Sequence, residues 1–190
     1  MRMFVAVRPP AEAVEHLDEF LDVRREAGPF RWTVADQLHV TLAFLADVPD
    51  RSLDDLLARL ERAARKRTTF TARIHGGGAF PHVARARVLW AGLDLDEHGF
   101  EELRRLATGA RAAATKAGVD ATGQRFRPHL TVARLGVPAE ATRWVRLLDA
   151  YAGPPWPVHE VELVASYLGE GPRKRPRHET VATFPLSSPK

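Results

Sequence analysis

One short sequence pattern occurs twice in this 190-residue chain. Residues 38–45 read LHVTLAFL and residues 128–135 read PHLTVARL, so an ungapped alignment matches the His, the Thr, the Ala and the final Leu. A Val-Pro pair follows each segment at nearly the same distance. A single His-x-Thr triplet constrains a fold very little. Two triplets in matching contexts predict two similar halves that each supply one imidazole to a shared, symmetric site.

The hydrophobic pattern alternates between the period of strands and the period of helices. It predicts strands at residues 3–7, 38–45, 69–74, 87–93, 128–135, 158–168 and 178–186. It predicts helices at residues 10–27, 52–66, 96–117 and 139–150, and a glycine-rich loop at residues 76–81. The order strand, helix, strand, helix, strand therefore occurs twice, with one His-x-Thr triplet on the middle strand of each set.

This order predicts an α+β fold with two pseudo-symmetric lobes, in which antiparallel or mixed sheets and outer helices surround a central cleft. No clean linker separates the halves, and 190 residues fit one domain. We therefore expect a single bilobal domain over residues 1–190. Its internal duplication is expected to divide the chain at about 1–84 and 85–190.

Composition excludes several kinds of protein and site. The chain has no cysteine, which removes disulfides, thiolate nucleophiles and Cys-based zinc sites together. No apolar run approaches 18 residues, and the apolar stretch at residues 3–7 is too short for a signal-peptide core. We expect a cytoplasmic monomer that does not contact a membrane.

The charge balance leaves two interpretations open. The chain has 28 basic and 24 acidic residues, which gives a formal net charge of +4, and 24 of the basic residues are arginine. Guanidinium groups match phosphate oxygens, so one interpretation is a polyanionic partner. The other is an arginine-rich, solvated surface.

The spacing of the repeated motif places its polar residues together. On a strand, residues i and i+2 point to one face, so His39 and Thr41 share a face, as do His129 and Thr131. The residues between and after them are apolar and are expected to point into a helix-covered core. Two lobes related by an approximate two-fold would bring two imidazoles and two hydroxyls around one point.

Such a group of side chains suits the cleavage of a phosphodiester. One neutral imidazole can take a proton from water while one protonated imidazole donates a proton to the departing oxygen. Threonine hydroxyls can donate hydrogen bonds to the non-bridging oxygens, where charge accumulates in the transition state. This chemistry requires neither a metal nor an organic cofactor.

Other interpretations of the same residues remain. A lone His-x-Thr triplet on a strand is usually structural, and a duplicated pair could persist as a binding module that holds RNA ends or a cyclic nucleotide without turnover. A metal hydrolase that uses scattered histidines is a third possibility. None of the remaining histidines has the His-x-x-x-His spacing of metal ligands.

At these residues the chain resembles the two-histidine phosphoesterase superfamily, and within it the RNA 2′,3′-cyclic phosphodiesterases, formerly called 2′-5′ RNA ligases. The resemblance covers nearly the whole chain and is most specific at residues 125–134, which read RFRPHLTVAR. It also includes residues 1–7, 31–32 with 38–42, 76–81 with 87–92, 166–168 and 184–186.

The resemblance implies a bilobal α+β fold and hydrolysis of a 2′,3′-cyclic phosphate, on an RNA 3′ end or a small nucleotide, to a 2′-monophosphate. It also implies that His39 is the proton donor to the leaving 3′ oxygen and that His129 is the base that activates water. The symmetry of the motifs does not by itself assign these roles. Relatives often have an aromatic residue where this chain has His178.

Residues that flank the motifs give further expectations. Arg127 lies two residues before His129, so we expect it on the cleft side, where it can contact phosphate. Arg134 and Phe44 each lie five residues after a motif histidine, so regular strand geometry points them the other way. Each of the aromatic residues Trp32, Phe80 and Phe126 is expected either to stack on a base or to pack internally.

Overall fold

The structure is a computed structural model that describes residues 1–123 and 125–189. The helices are α1 Ala11–Asp22, α2 Asp50–Arg65, α3 Glu97–Lys116 and α4 Thr142–Asp149. The strands are β1 Met3–Val7, β2 Arg31–Trp32, β3 Val40–Leu45, β4 Phe70–Phe80, β5 Ala86–Asp94, β6 Ala121–Thr122, β7 Leu130–Ala139, β8 Trp156–Val158, β9 Glu160–Tyr167 and β10 Arg177–Pro185.

The strands form one curled sheet with the order β10-β9-β1-β3-β7-β5-β4-β8. All pairings between these strands are antiparallel, and the two-residue strands β2 and β6 add to β7 and β3. The predicted α+β fold class is therefore confirmed, and the sheets are antiparallel rather than mixed.

The two motif segments have the same local order of strands, and strands from the two sequence halves pair with each other. The segments β2–β3 and β6–β7 begin 90 residues apart, at Arg31 and Ala121, and both have seven residues between their two strands. In the sheet, however, β4 from the first half pairs with β5, and β9 from the second half pairs with β1. The two lobes, β10-β9-β1-β3 and β7-β5-β4-β8, therefore each contain strands from both sides of the predicted boundary at residue 84.

The core lies between one face of the sheet and the helices. On β3 the side chains of Val40, Leu42 and Leu45 are buried in one cluster with Leu56 of α2 and Leu103 of α3. On β7 the apolar residues of the motif are buried in the same cluster. Because burying a Leu or Val side chain contributes roughly 1.5–3 kcal/mol, these residues hold both motif strands rigidly against the helices.

Several predicted boundaries were wrong, and the largest error concerns the glycine-rich segment. Residues 76–80 continue β4 instead of forming a loop, and Gly77 and Gly78 pair with Ala91 and Trp90 of β5. Neither position has room for a side chain, because Leu148 packs over the first glycine and the indole of Trp90 over the second. These glycines allow close approach within a strand rather than a turn.

Smaller differences occur at the ends of elements. The first helix ends at Asp22 and a separate 3-10 turn follows at Arg25–Ala27, whereas the strand β7 continues to Ala139, so that α4 begins only at Thr142. The predicted strand at 158–168 corresponds to β9, and a separate short strand, β8, precedes it. None of the helices in the described ranges combines the length and the apolar composition that a bilayer-crossing segment requires.

Candidate functional site

A cleft of about 360 Å³ lies on the face of the sheet opposite the helices, where the two motif strands meet. All four motif side chains line it: His39, Thr41, His129 and Thr131. The sequence prediction that these residues share one cleft therefore agrees with the geometry. The other lining residues come from the motif strands themselves, from β1 and the residue before it, from β2, β9 and β10, and from the segments that precede β3 and β10.

The register of the central strand pair determines how the four motif residues are arranged. β3 and β7 run antiparallel with Val40 opposite Leu130. Continuing this register by one residue in each direction sets His39 beside Thr131, and His129 beside Thr41. This register predicts that each imidazole neighbours the hydroxyl of the other motif. In that register the two histidines are diagonal cross-strand neighbours, whose backbone positions are typically about 7–8 Å apart.

A β-bulge in each motif strand changes which later residues reach the cleft. Along β3 the partners of Val5 and Ala6 are Ala43 and Thr41, so Leu42 is an extra residue in that strand. An extra residue reverses the alternation of faces beyond it. Phe44, which regular alternation assigns to the core, therefore lines the cleft, where the guanidinium of Arg2 lies 4.5 Å from its ring centroid.

The second motif has the same bulge at the equivalent position. Along β7 the partners of Leu89 and Trp90 are Ala133 and Thr131, so Val132 is the extra residue. Arg134 consequently lines the cleft, although alternation alone points it away. The two strands also share one sequence of buried and accessible residues, so the motif segments are alike in this irregularity as well.

Both imidazoles are held by the same local hydrogen bond. Nδ1 of His39 lies 2.7 Å from the carbonyl oxygen of Gln37, and Nδ1 of His129 lies 2.7 Å from that of Arg127. Because a carbonyl only accepts hydrogen bonds, Nδ1 is the donor in each ring. Nε2 of each neutral ring therefore has a free lone pair, which can accept a proton and return it.

The two rings differ in their surroundings. The His39 ring stacks on Phe4 with centroids 4.5 Å apart, and the ring of His178 meets it edge-on at 5.7 Å. The His129 ring contacts Phe80 edge-on at 4.9 Å and lies 6.0 Å from Trp90. Aromatic contacts of this kind restrict the orientation of each imidazole.

Burial lowers the pKa of both motif histidines, because desolvation disfavours the charged imidazolium. The pKa of His39 falls to about 4, with smaller contributions from His178, Arg8 and His129, and the Gln37 hydrogen bond opposes the change. The pKa of His129 is also lowered, first by burial and then by Arg127 and Arg134, against its own backbone hydrogen bond.

Two arginines flank the second motif, and only one of them lines the cleft. Arg134 lines it, whereas Arg127 is exposed, with its guanidinium 5.9 Å from the ring centroid of Phe80. The carbonyl oxygen of Arg127 orients His129, as described above. Both guanidiniums are near enough to lower the pKa of His129, and contact of Arg127 with phosphate stays a prediction.

His178 is a cleft residue that the sequence pattern alone did not identify. It lies at the start of β10, and the segment before it is tied to the first motif by the side-chain amide of Gln37, which donates to the carbonyl oxygen of Pro176 at 2.7 Å. Nδ1 of His178 is buried without a hydrogen-bond partner among the described residues. Because His178 is distant in sequence from both motifs, the spacing of the motif residues could not identify it as a cleft residue.

The aromatic residues considered as base platforms have different surroundings. Trp32 lines the cleft but packs against Phe30 and Trp144, and its Nε1 donates to the carbonyl oxygen of Gly28. Phe80 packs on Trp90 and His129, and Phe126 packs against the hydrophobic core. Within the described ranges, no three His, Asp or Glu side chains are clustered closely enough to hold a metal ion.

Comparison with known proteins agrees with this geometry. A sequence profile of the 2′-5′ RNA ligase superfamily matches residues 6–170. The chain is 36% identical to an RNA 2′,3′-cyclic phosphodiesterase of Thermus thermophilus over 177 residues, which are 88% of this chain and 83% of the relative. It is 31% identical to one of Geobacillus stearothermophilus over 186 residues, and spans 56% of the length of that longer protein.

Solved structures show the same fold. The crystal structure of E. coli LigT in apo form superposes with a TM-score of 0.77 at 27% identity over 98% of both chains. That of TT0787 from Thermus thermophilus superposes with a TM-score of 0.79 at 31% identity over 99% of both chains. The resemblance drawn from the repeated motifs is confirmed, and the chain belongs to the 2′-5′ RNA ligase superfamily.

Proposed function

We propose that this protein hydrolyses 2′,3′-cyclic phosphodiesters at RNA 3′ ends to 2′-phosphomonoesters without a metal ion. The observation that carries the proposal is that both imidazoles and both threonines line one cleft, with each ring held by the same Nδ1 hydrogen bond to a backbone carbonyl. Two proton-transfer groups and two hydroxyl donors thereby face one space, in which we place the phosphate. A general acid and a general base each typically contribute about 10²–10⁴-fold to a rate.

The reaction proceeds by in-line displacement at phosphorus. His129 takes a proton from water on Nε2 as the water oxygen forms its bond to phosphorus. The bond from phosphorus to the 3′ oxygen breaks on the opposite side, and Nε2 of His39 gives its proton to that oxygen. The 2′ ester bond remains, so the product is a 2′-phosphate. The family resemblance supplies this assignment of acid and base.

The other cleft residues stabilise the charge on the phosphate. The hydroxyls of Thr41 and Thr131 donate hydrogen bonds to the non-bridging oxygens. The guanidinium of Arg134 adds a charge-assisted donor of fixed geometry. An anion bound between the rings also raises the pKa of His39 from the low value that burial imposes, which favours the protonated form that the acid role requires.

The relatives support this substrate class. Proteins from several bacteria and archaea with 25–36% identity carry the name RNA 2′,3′-cyclic phosphodiesterase. E. coli LigT, which shares the fold at 27% identity, has been solved in complexes with 3′-AMP and with phosphate. A nucleotide with one terminal phosphate is therefore a ligand of matching size and charge for this cleft.

Single substitutions of the two histidines test the proposal. We expect His39→Ala and His129→Ala each to lower kcat/KM on an oligoribonucleotide ending in a 2′,3′-cyclic phosphate by at least about 10²-fold. His159→Ala, which removes an exposed histidine outside the cleft, is the matched control. Thermal unfolding of each variant establishes that the fold is retained. Wild-type rates in either cleft variant would refute the acid–base pair.

The same assay separates the alternatives. Turnover should persist in EDTA, whereas a metal hydrolase would lose activity and regain it with added metal.

Because burial lowers the pKa of both imidazoles, we expect kcat/KM to depend on pH as a bell-shaped curve with its optimum below pH 6.5. Binding of the cyclic end without release of a 2′-phosphate would indicate a non-catalytic module, and joined 2′-5′ products would indicate the reverse reaction.

A further inference from the structure

A second basic surface lies away from the catalytic cleft, in a groove of about 460 Å³ between α2 and α3. Its cationic side chains include Arg59, Arg62, Lys66 and Arg67 from α2 and the residues after it. Those from α3 are Arg104, Arg105 and Lys116. The lining contains no carboxylate and no aromatic ring. Both helices pack on the face of the sheet opposite the cleft, so the groove is separate from the site described above.

Small residues make this surface a groove. The floor contains Ala63, Gly109 and Ala113, and a Cβ atom added at Gly109 would lie 3.4 Å from the Cβ of Ala63. The helices therefore approach closely at that level, and the long basic side chains rise on both sides. Along α2 and the residues that follow it, the cations extend from Arg59 to Arg67, a distance of about 12 Å at the rise of a helix.

Ion pairing leaves a clear surplus of positive charge in the groove. Arg59 pairs with Asp55 and Arg67 with Glu102, and Glu101 is shared between Arg104 and Arg105. Seven cations against three carboxylates leave four positive charges, equal to the formal net charge of the whole chain.

Three of the seven cations carry most of this surplus. Arg62, Lys66 and Lys116 are exposed and make no ion pair or side-chain hydrogen bond with the described part of the chain. They are therefore available to an external anion. They also lie on both walls of the groove, so one bound strand can contact all three.

We propose that this groove is a second site that binds the phosphodiester backbone of single-stranded RNA; the choice of RNA as the polyanion rests on the proposed function. One nucleic-acid strand carries a negative charge about every 3.4 Å, so about 12 Å of groove faces three to four phosphates, which matches the surplus. Guanidinium and ammonium groups suit phosphate oxygens. Without aromatic residues in its lining, the groove offers no stacking surface, and its binding is independent of base sequence.

Neutralising the three unpaired cations tests the proposal. The groove variant combines Arg62→Gln, Lys66→Gln and Lys116→Gln, and glutamine preserves the helices. The control variant combines Arg51→Gln, Arg143→Gln and Arg146→Gln, which removes the same charge from exposed positions outside this groove. The probe is a fluorescein-labelled 20-nucleotide oligouridylate, whose dissociation constant is measured by anisotropy from 50 to 200 mM NaCl.

For the groove variant we expect the slope of log Kd against log[NaCl] to fall by about 2, because each single-strand phosphate contact contributes about 0.7. At 0.15 M NaCl this corresponds to roughly 50-fold weaker binding. An oligoadenylate should show the same loss. The control variant should keep the wild-type slope, and kcat/KM on a 2′,3′-cyclic mononucleotide, too short to reach the groove, should be unchanged in both variants.

The proposal is overturned if the groove and control variants bind the RNA with the same dissociation constant at every salt concentration. A loss of kcat/KM on the cyclic mononucleotide would also overturn it, since the groove would then act through the cleft. Because the binding comparison does not depend on turnover, absence of hydrolysis by the wild type would refute the proposed function and leave this test interpretable.

Discussion

At the scale of single residues, the two motif histidines make the same backbone hydrogen bond but contact different aromatic rings. In each ring a backbone carbonyl two residues upstream fixes Nδ1 as the donor, which directs Nε2 to the substrate. His39 is the more enclosed of the two, between Phe4 and His178, and its pKa falls to about 4. Burial therefore favours the neutral form of both rings, and a bound phosphate anion favours protonation.

This burial predicts a specific pH dependence of stability. The pKa of His39 is about 4 in the folded chain and about 6.5 when unfolded, so the unfolded state binds more protons between these values. The stability that depends on a neutral His39 imidazole is fully present above pH 6.5 and is lost as the pH falls towards 4. Between pH 7 and pH 5 the free energy of unfolding should fall by roughly 2 kcal/mol from this cause.

Urea unfolding at pH 5, 6 and 7 measures this contribution as the difference between the wild type and His39→Asn. We expect the variant to lose less stability than the wild type on acidification, whatever its stability at pH 7. His159→Asn, at an exposed histidine, provides the comparison for a substitution outside the cleft. Parallel curves for the wild type and His39→Asn would contradict the burial of this imidazole.

At the scale of elements, paired bulges explain the composition of the cleft. One extra residue in each motif strand, Leu42 in β3 and Val132 in β7, brings the residue five positions after the histidine to the polar face. The first bulge places Phe44 in the cleft lining and the second places Arg134 there. Equivalent bulges therefore give the cleft an apolar ring from β3 and a cation from β7.

The second bulge predicts unequal roles for the two flanking arginines. Loss of a hydrogen bond to a charged group costs about 1.5–3 kcal/mol, so Arg134→Gln should lower kcat/KM on the cyclic substrate about 10–100-fold. Arg127→Gln should have a smaller effect, since that side chain lies over Phe80 outside the cleft lining. Steady-state kinetics of both variants decides the matter, and a larger loss in Arg127→Gln would favour the interpretation from strand alternation.

The glycine-rich end of β4 predicts a local sensitivity to side-chain volume. A Cβ atom at Gly78 would overlap the indole of Trp90, which also packs near His129. We expect Gly78→Ala to destabilise the fold by about 1–3 kcal/mol, as overpacking does. Gly136→Ala in β7, where a Cβ atom meets nothing within 4 Å, is the control. Equal free energies of unfolding for the two variants, measured in urea, would disprove this packing.

At the scale of the whole molecule, strands from one sequence half pair with strands from the other, and these pairings hold the lobes together. The last strand of the first half, β4, pairs with β5 of the second, and β9 of the second half pairs with β1 of the first. The two motifs meet at the centre of this arrangement, where Val40 faces Leu130. The monomeric state stays a prediction.

The order of predicted strands and helices was sufficient to predict the fold class, and the repeated motif was sufficient to predict the four polar residues at the centre of the cleft. Hydrophobic periodicity identifies elements but not their partners, so it could not show that β4 crosses to the other half. It also assumes regular alternation, and a one-residue bulge therefore misplaced Phe44 and Arg134. His178 was missed because it belongs to neither motif and reaches the cleft only through the pairing of β10 with β9.

The most direct test of the central claim is a crystal structure of this protein with adenosine 2′-monophosphate, the type of product that the proposed reaction releases. We expect Nε2 of His39 and Nε2 of His129 to lie about 2.6–3.2 Å from different oxygens of the same phosphate, with both threonine hydroxyls donating to it. A phosphate that contacts only one imidazole, or that binds outside this cleft, would contradict it.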